Sequence, residues 1–307
     1  MTKVFIDGSA GTTGLRIHER LSARTELTLI TLSEERRKDP EARKAALQEA
    51  DIAFLCLPDA AAVEAVALAE GSPVAIIDTS TAHRTAPDWE YGFPELAGRR
   101  QRIAKAKRIA NPGCHASGFV ALVEPLVRAG LLPADEALTC CSLTGYSGGG
   151  KAMIAAYEAP DRDPLLAAPR QYGLTQQHKH LKEMGVVCGL STAPIFCPIV
   201  APFYSGMEVT VPLFAHQVKG TAADIAAVYK EYYQNGLVRF VEQGDESGFL
   251  SAAALSGRDD MQITLCGNAQ RLLLVARFDN LGKGASGAAI QNMNLLLGVD
   301  EATGLEV

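Results

Sequence analysis

The sequence predicts two domains: an α/β unit built on a doubly wound parallel sheet, and an α+β unit with a mixed sheet. Three observations predict this. At 307 residues the chain is about twice the length of a typical single domain. Its first third alternates short apolar β-type runs with helical stretches. From Leu138 the texture changes to longer β-type runs.

Val4–Ile6 reads as a strand, followed by a glycine turn and a helix with apolar residues Leu15, Ile17 and Leu21. The turn carries Gly8-Ser9-Ala10-Gly11-Thr12-Thr13-Gly14, a spacing variant of the dinucleotide fingerprint. Glycines there permit a tight turn and let a pyrophosphate approach the helix N-terminus. Strands at Leu27–Leu32, Ile52–Leu57 and Val74–Ile77 alternate with helices at Asp39–Ala50 and Ala60–Ala69, the pattern of a nucleotide-binding Rossmann domain. Gly8, Ser9, Gly11, Thr12, Thr13 and Gly14 are the expected cofactor residues. After the second strand, Ser33 stands where an acid would bond a ribose 2′-hydroxyl, and Arg36 and Arg37 follow. That composition favours NADP(H) over NAD.

A second glycine cluster, Gly145-Tyr146-Ser147-Gly148-Gly149-Gly150-Lys151-Ala152, imitates a phosphate loop. Ala152 replaces the hydroxyl that would hold Mg²⁺, which removes the ATPase reading and leaves a possible cradle for another phosphate. The cradle rests on Gly148, Gly149 and Gly150 turning their N–H groups inward. Asn111-Pro112-Gly113-Cys114 places one cysteine after a turn and before a helix read at Phe119–Ala129. The positive end of a helix favours thiolate and makes such a sulfur nucleophilic. The other cysteines are scattered without CxxC spacing and read mostly as small buried hydrophobes, and no metal is expected. Gln176-Gln177-His178-Lys179-His180-Leu181-Lys182-Glu183 reads as a polar helix surface with His180 and Glu183 on one face. His115 reads as packing or substrate lining rather than a proton-transfer group.

In the second half, strands are expected at Leu138–Leu143, Met207–Phe214, Met261–Leu265 and Leu272–Phe278, with a helix at Ala222–Gln234. Pro194–Pro202 is proline-rich and reads as an extended crossing segment rather than a central strand.

These motifs taken together resemble the N-acetyl-gamma-glutamyl-phosphate reductases, within the aspartate-semialdehyde dehydrogenase-like superfamily. The resemblance runs nearly end to end and includes Asp78 to Arg84, Asn111 to Cys114, Ser147 to Lys151, His178 to Glu183, and Asp279 to Gly287. It implies NADPH-dependent reduction of an acyl phosphate through a thioester on Cys114. His180 is preferred as acid/base, His178 stays open for the same role, and Glu183 is the orienting carboxylate. It also implies that Arg84, Asn111, Ser147, Gly149 and Lys151 meet the substrate, and that Gly148, Asn280 and Lys283 approach the cofactor. The domains would be 1–113, completed by a C-terminal helix within 285–307, and a catalytic and oligomerisation domain over 114–284. A related acyl-phosphate reductase and a non-catalytic NADPH-binding sensor are the alternatives.

A net charge of −6 opposes nucleic-acid binding, and the basic run Arg99–Arg108 lacks interleaved aromatics and reads as solvated surface. No apolar run reaches the ~18 residues of a membrane span, and Met1-Thr2-Lys3 leads into a strand, so a cytoplasmic enzyme is expected. The partners are then a small acyl phosphate and further copies of the chain, as a dimer or tetramer.

Overall fold

A computed structural model describes residues 1–307, and the chain divides into two units. The first comprises Met1–Pro94, Gly98–Pro112 and Ala285–Leu305; the second comprises Glu95–Ala97, Gly113–Gly284 and Glu306–Val307. No helix is long and apolar enough to cross a membrane.

In the first unit β1 (Thr2–Asp7), α1 (Thr12–Ser22), β2 (Leu27–Ile30), α2 (Pro40–Glu49), β3 (Ile52–Leu55), α3 (Asp59–Leu68) and β4 (Ala75–Asp78) follow in strict alternation. Then come β5 (Glu90–Tyr91), α4 (Arg99–Ile103) and β6 (Arg108–Ala110). The sheet is parallel throughout, in the order β2-β1-β3-β4-β6-β5. Strand side chains point alternately to opposite faces, and here they feed two cores. Val4, Ile6, Ile52, Phe54 and Ile77 join Ile17, Leu21, Ile290 and Met293 on one face. Phe5, Ala53, Leu55 and Ile76 join Ala46, Leu47, Ala62 and Ala65 on the other. Both faces are therefore covered, as a parallel sheet requires.

The basic run lies largely at the surface, as expected, and several of its charges hold partners there. Arg99 and Arg102 bind Glu90, Arg100 pairs with Glu301, and Arg108 donates to the Val74 carbonyl. Its charges are tied down because α4 lies against other elements of its own unit.

The second unit begins with α5 (Cys114–Arg128) and holds β7 (Thr139–Gly145), α6 (Gly150–Glu158), β8 (Arg170–Gln171), α7 (His180–Cys188), β9 (Ile195–Ala201) and β10 (Met207–Phe214). It continues with α8 (Ala222–Tyr232), β11 (Val238–Phe240), β12 (Met261–Gly267) and β13 (Arg271–Phe278). The last helix, α9 (Gly287–Leu297), belongs to the first unit. The mixed seven-stranded sheet runs β11-β12-β13-β10-β7-β9-β8. Thr221 opens α8 by a reciprocal cap with Asp224. One face of the sheet packs on α5; the alternation of buried and accessible residues along β7, β9 and β10 marks the other as open.

The proline-rich segment is a correction. Ile195–Ala201 is a true strand inside the sheet, paired with β7 and β8. Pro198 fits because its carbonyl accepts the Tyr172 N–H at 3.0 Å. In a strand a residue's N–H and C=O point the same way, so its missing donor also faces the two-residue edge strand, where little pairing is lost. The cysteine reading is corrected too. Cys140 and Cys188 are buried, but Cys141 is exposed and the others are half-buried, because alternation turns successive residues of β7 to opposite faces.

Candidate active site

The first unit presents a cofactor cleft. Gly8 has φ +89°, and a Cβ there would stand 2.3 Å from the Cys56 carbonyl oxygen, so the turn against β3 admits only glycine. Gly14 is likewise closed, by the Gly8 carbonyl at 2.4 Å. A Cβ on Gly11 would meet nothing closer than 3.5 Å, so nothing in the chain itself demands glycine there. Gly11 caps α1 without any side-chain bond, and the buried Thr12 Oγ1 beside it has no partner. An uncapped helix start with an orphan hydroxyl is what an anionic pyrophosphate fits. The cleft, of about 170 Å³, is lined by Gly8, Ser9, Ala10, the β2 end Leu29–Leu32, Arg37 and Lys38. Arg37 pairs with Glu34 at 3.0 Å and Arg36 reaches Asp39 at 4.0 Å, both in solvent, while Ser33 is exposed nearby.

Gly8→Ala should therefore cost about 2–3 kcal/mol of stability, by overpacking and backbone strain. Gly11→Ala should cost about 1 kcal/mol or less, yet weaken nicotinamide dinucleotide binding roughly tenfold or more. Urea unfolding and cofactor titration on the same two proteins check this split.

The second unit holds the thiol. Cys114 is the first residue of α5, half-buried, and Gly113 caps the helix without a side-chain bond. Glu183 Oε1 accepts the Gly113 N–H at 2.8 Å, which ties α7 to the turn presenting the sulfur. Beyond β13, the five residues Gly282–Ser286 form a π-helical turn, and a Cβ on Gly284 would stand 3.0 Å from the Cys114 Cβ. That close approach explains why glycine occupies the turn, since a side chain would push the nucleophile.

His115, next to the thiol in α5, belongs to a cluster of three imidazoles. His178 and His180 rings lie 4.8 Å apart, and His115 sits 5.9 and 5.5 Å from them. The His180 N–H donates to His178 Nδ1 at 3.3 Å. Burial holds His178 below the usual histidine range, helped by the Lys179 charge. His115 is buried between the Ser142 hydroxyl (2.6 Å from Nδ1) and the Tyr172 hydroxyl (2.7 Å from Nε2), and burial drives its pKa down to about 3. It stays neutral and serves as a hydrogen-bonded wall. Burial raises the Tyr172 phenol, and the neighbouring Cys114 adds to this as a thiolate.

Tyr172, Ser142 and Phe196 are contacts that the sequence reading missed. Pairing of β8 with β9 brings Tyr172 in, and no local pattern around Gln171-Tyr172-Gly173 signals it. Because His115 takes up a proton on unfolding, its share of stability is present above about pH 6.5 and lost as pH falls toward 3. His115→Gln should flatten the acid limb of a stability–pH plot by roughly 1 kcal/mol per pH unit, read from urea midpoints between about pH 6 and pH 4.

Several polar residues expected to meet ligands also hold partners within the chain. Arg84 donates to the Asn111 and Thr79 carbonyls at 3.0 Å each, and the Asn111 amide donates to the Ala285 carbonyl while its oxygen accepts from Asn292. Both brace the carboxyl edge of the first sheet. The Lys283 ammonium binds both Glu95 oxygens at 2.8 Å in a buried pair. Asn280 joins the Gly206 N–H to the Ser147 hydroxyl. In the glycine cluster, Tyr146–Gly149 form a 3₁₀ turn and Gly150 donates its N–H to the Ser147 carbonyl. The three-glycine cradle is thus reduced to exposed Gly148 and Gly149, with Lys151 exposed in the first turn of α6.

The family description "Semialdehyde dehydrogenase, NAD binding domain" matches residues 38–106, and "Semialdehyde dehydrogenase, dimerisation domain" matches 114–280. The chain is 48% identical over 306 residues to the N-acetyl-gamma-glutamyl-phosphate reductase of Brucella ovis, covering 96% of this chain and 99% of that one. It is 45% identical over 309 residues to N-acetyl-gamma-glutamyl-phosphate reductase 2 of Pseudomonas putida, covering 98% of each. Aspartate semialdehyde dehydrogenase II of Vibrio cholerae shares the fold with a TM-score of 0.74 at 17% identity, over 97% of this chain and 98% of that one. The first unit is the nicotinamide-cofactor domain of that fold. With full-length identity at this level and both domains matched, the chain belongs to the N-acetyl-gamma-glutamyl-phosphate reductase family of semialdehyde dehydrogenases.

Proposed function

We propose that this chain reduces N-acetyl-L-glutamyl 5-phosphate to N-acetyl-L-glutamate 5-semialdehyde with NADPH, releasing phosphate, as a step of arginine biosynthesis in the cytosol. The observation that carries the reading is Cys114 at the uncapped head of α5, in a chain whose relatives match it end to end.

The Cys114 sulfur attacks the γ-carbonyl carbon, its proton passes to an imidazole, and the bond to the phosphate oxygen breaks to leave a thioester. The helix N-terminus lowers the cost of the thiolate and then of the carbonyl oxyanion. His178 already accepts the His180 N–H at Nδ1, so its neutral ring carries the proton on Nε2 and acts as a donor. Proton acceptance then falls to His180. Glu183 holds the Gly113 turn, and so the sulfur, in register with α7. The departing phosphate meets the Gly148 and Gly149 turn and Lys151. Bound NADPH supplies the hydride that turns the acyl group into an aldehyde.

For NADP over NAD the support is the end of β2, where no carboxylate occupies the ribose position and Arg36, Arg37 and Lys38 follow Ser33. Their surface ion pairs are worth about 1 kcal/mol or less each, so a 2′-phosphate can displace Glu34 and Asp39. A homo-oligomer, dimer or tetramer, is supported by exposed Ile195, Phe214 and Leu273 on the open face of the second sheet.

The test is the reverse reaction. N-acetylglutamate semialdehyde with phosphate and NADP⁺ should give NADPH, with aspartate semialdehyde and NAD⁺ each poorer by an order of magnitude or more. Preference for aspartate semialdehyde would move the chain to another acyl-phosphate reductase. Cofactor binding without any turnover would leave a sensor.

A further inference from the structure

The turn that touches the thiol residue is fastened by a buried charge. A Cβ on Gly284 would stand 3.0 Å from the Cys114 Cβ and 3.3 Å from the Phe278 ring, so bare glycine backbone is the surface against which the cysteine side chain rests. Gly284 lies in the π-helical turn Gly282–Ser286. Such turns are rare and recur at functional sites.

Two fixtures hold this one. At its entry the Asp279 carboxylate accepts the Leu281 and Gly282 N–H groups at 2.6 and 3.1 Å, and the Asp279 carbonyl accepts the Gly284 N–H at 3.0 Å. One residue before Gly284, the Lys283 ammonium donates to both Glu95 oxygens at 2.8 Å, with the two side chains 1% and 0% exposed. Glu95 is anchored in turn, since its Oε1 also accepts the Leu237 N–H at 3.1 Å. Two residues on, the Ala97 N–H donates to the Tyr232 hydroxyl at 3.0 Å, and that hydroxyl donates to Glu124 at 2.5 Å on α5, the helix that Cys114 opens. From Glu95 to Gly284 and Cys114, each of these contacts lies within the second unit.

An ion pair so deeply buried adds little stability over an apolar pair of equal size, because both charges lose their water. What it supplies is position: two equal bonds fix the ammonium, and through one peptide unit they fix the Gly284 backbone. We propose that Glu95 and Lys283 are a positioning pair for the thiol, holding the Gly284 backbone against Cys114 so that the sulfur keeps a single rotamer at the head of α5. The seating of Cys114 stands on these contacts alone; its effect on turnover rests on the thioester reading above.

Lys283→Met alone would strand the Glu95 carboxylate without partner or water, and such a protein can fail to fold. The experiment therefore uses the full-length double variant Glu95→Gln with Lys283→Met, which removes both charges, nearly preserves both lengths and leaves a side-chain oxygen for the Leu237 N–H. A second protein, Glu95→Asp with Lys283→Arg, shortens one arm, lengthens the other and restores the link. The neutral pair is expected to keep its urea midpoint and its KM for NADPH, with kcat lowered roughly 10–100-fold, the range for a slightly misplaced reacting group. The Asp/Arg protein should recover most of that loss. Iodoacetamide should alkylate Cys114 several-fold faster in the neutral pair at about pH 9.5, where thiolate predominates and the rate reads exposure.

Unchanged alkylation would overturn the seating. A collapsed urea midpoint would make the pair a support of the fold, and no recovery in the Asp/Arg protein would trace the loss to altered bulk; either result overturns the proposal. A raised KM for NADPH at unchanged kcat would do the same and assign Lys283 to the cofactor. Faster alkylation at unchanged kcat would support the seating and count against the thioester reading instead.

Discussion

Cys114→Ser protein is expected to lose about 10⁴-fold or more in turnover while keeping its fold and its nicotinamide cofactor affinity. The magnitude follows from removing the atom that forms the covalent intermediate: an alkoxide forms far less readily than a thiolate at neutral pH, and loss of a nucleophile elsewhere costs rates of this order. The retention of binding follows from anatomy. Cys114 belongs to the second unit, whereas the glycine turn, the orphan Thr12 hydroxyl and the cleft beside β2 belong to the first. The substitution is also close to isosteric, so the contact with Gly284 survives. Steady-state kinetics beside fluorescence titration of NADPH checks both halves. Turnover within tenfold of the unaltered protein would remove the thioester from the reaction. Loss of cofactor binding would show that the variant is damaged rather than chemically silenced.

His180→Asn is the second large effect, with an expected fall in kcat of roughly 10²–10⁴-fold, the range for losing a positioned acid/base. His178→Asn should cost less, since a ring whose Nδ1 already accepts a backbone N–H serves as a donor rather than a base. The two proteins separate further in their pH dependence. Removing the base should abolish the acid limb of the kcat profile, and removing the donor should lower the plateau without moving that limb. A larger loss in His178→Asn, or an acid limb that survives in His180→Asn, would exchange the two roles.

Much of this site was visible along the chain because its residues carry local constraints. A cysteine after Pro-Gly and before a helix, and histidines spaced beside a glutamate, are patterns of neighbours. The structure ties Glu183 to the turn presenting Cys114 and pairs His178 with His180. Tyr172, Ser142 and Phe196 were not visible, because nothing beside them in sequence marks them and only strand pairing brings them to His115. Arg84, Asn111 and Lys283, read from the sequence as ligand contacts, also hold partners within the chain for a related reason. Their residue types suit anions and amides, yet a buried donor is satisfied by whichever acceptor packing supplies, here backbone carbonyls and Glu95.

The sequence by itself determined the alternation of β1 to β4 with α1 to α3, the glycine turn of the cofactor domain and the placement of one cysteine at a helix head. Those properties follow from backbone freedom and the period of apolar residues, which neighbouring positions encode. Only the tertiary structure decided which polar groups remain available, that Pro198 can lie within a sheet, and that Cys141 faces outward against Cys197 while Cys140 faces inward. Hydrogen-bond partners and strand neighbours join residues far apart in the chain, and their pairing is chosen by the packing of the whole unit rather than by any stretch of it.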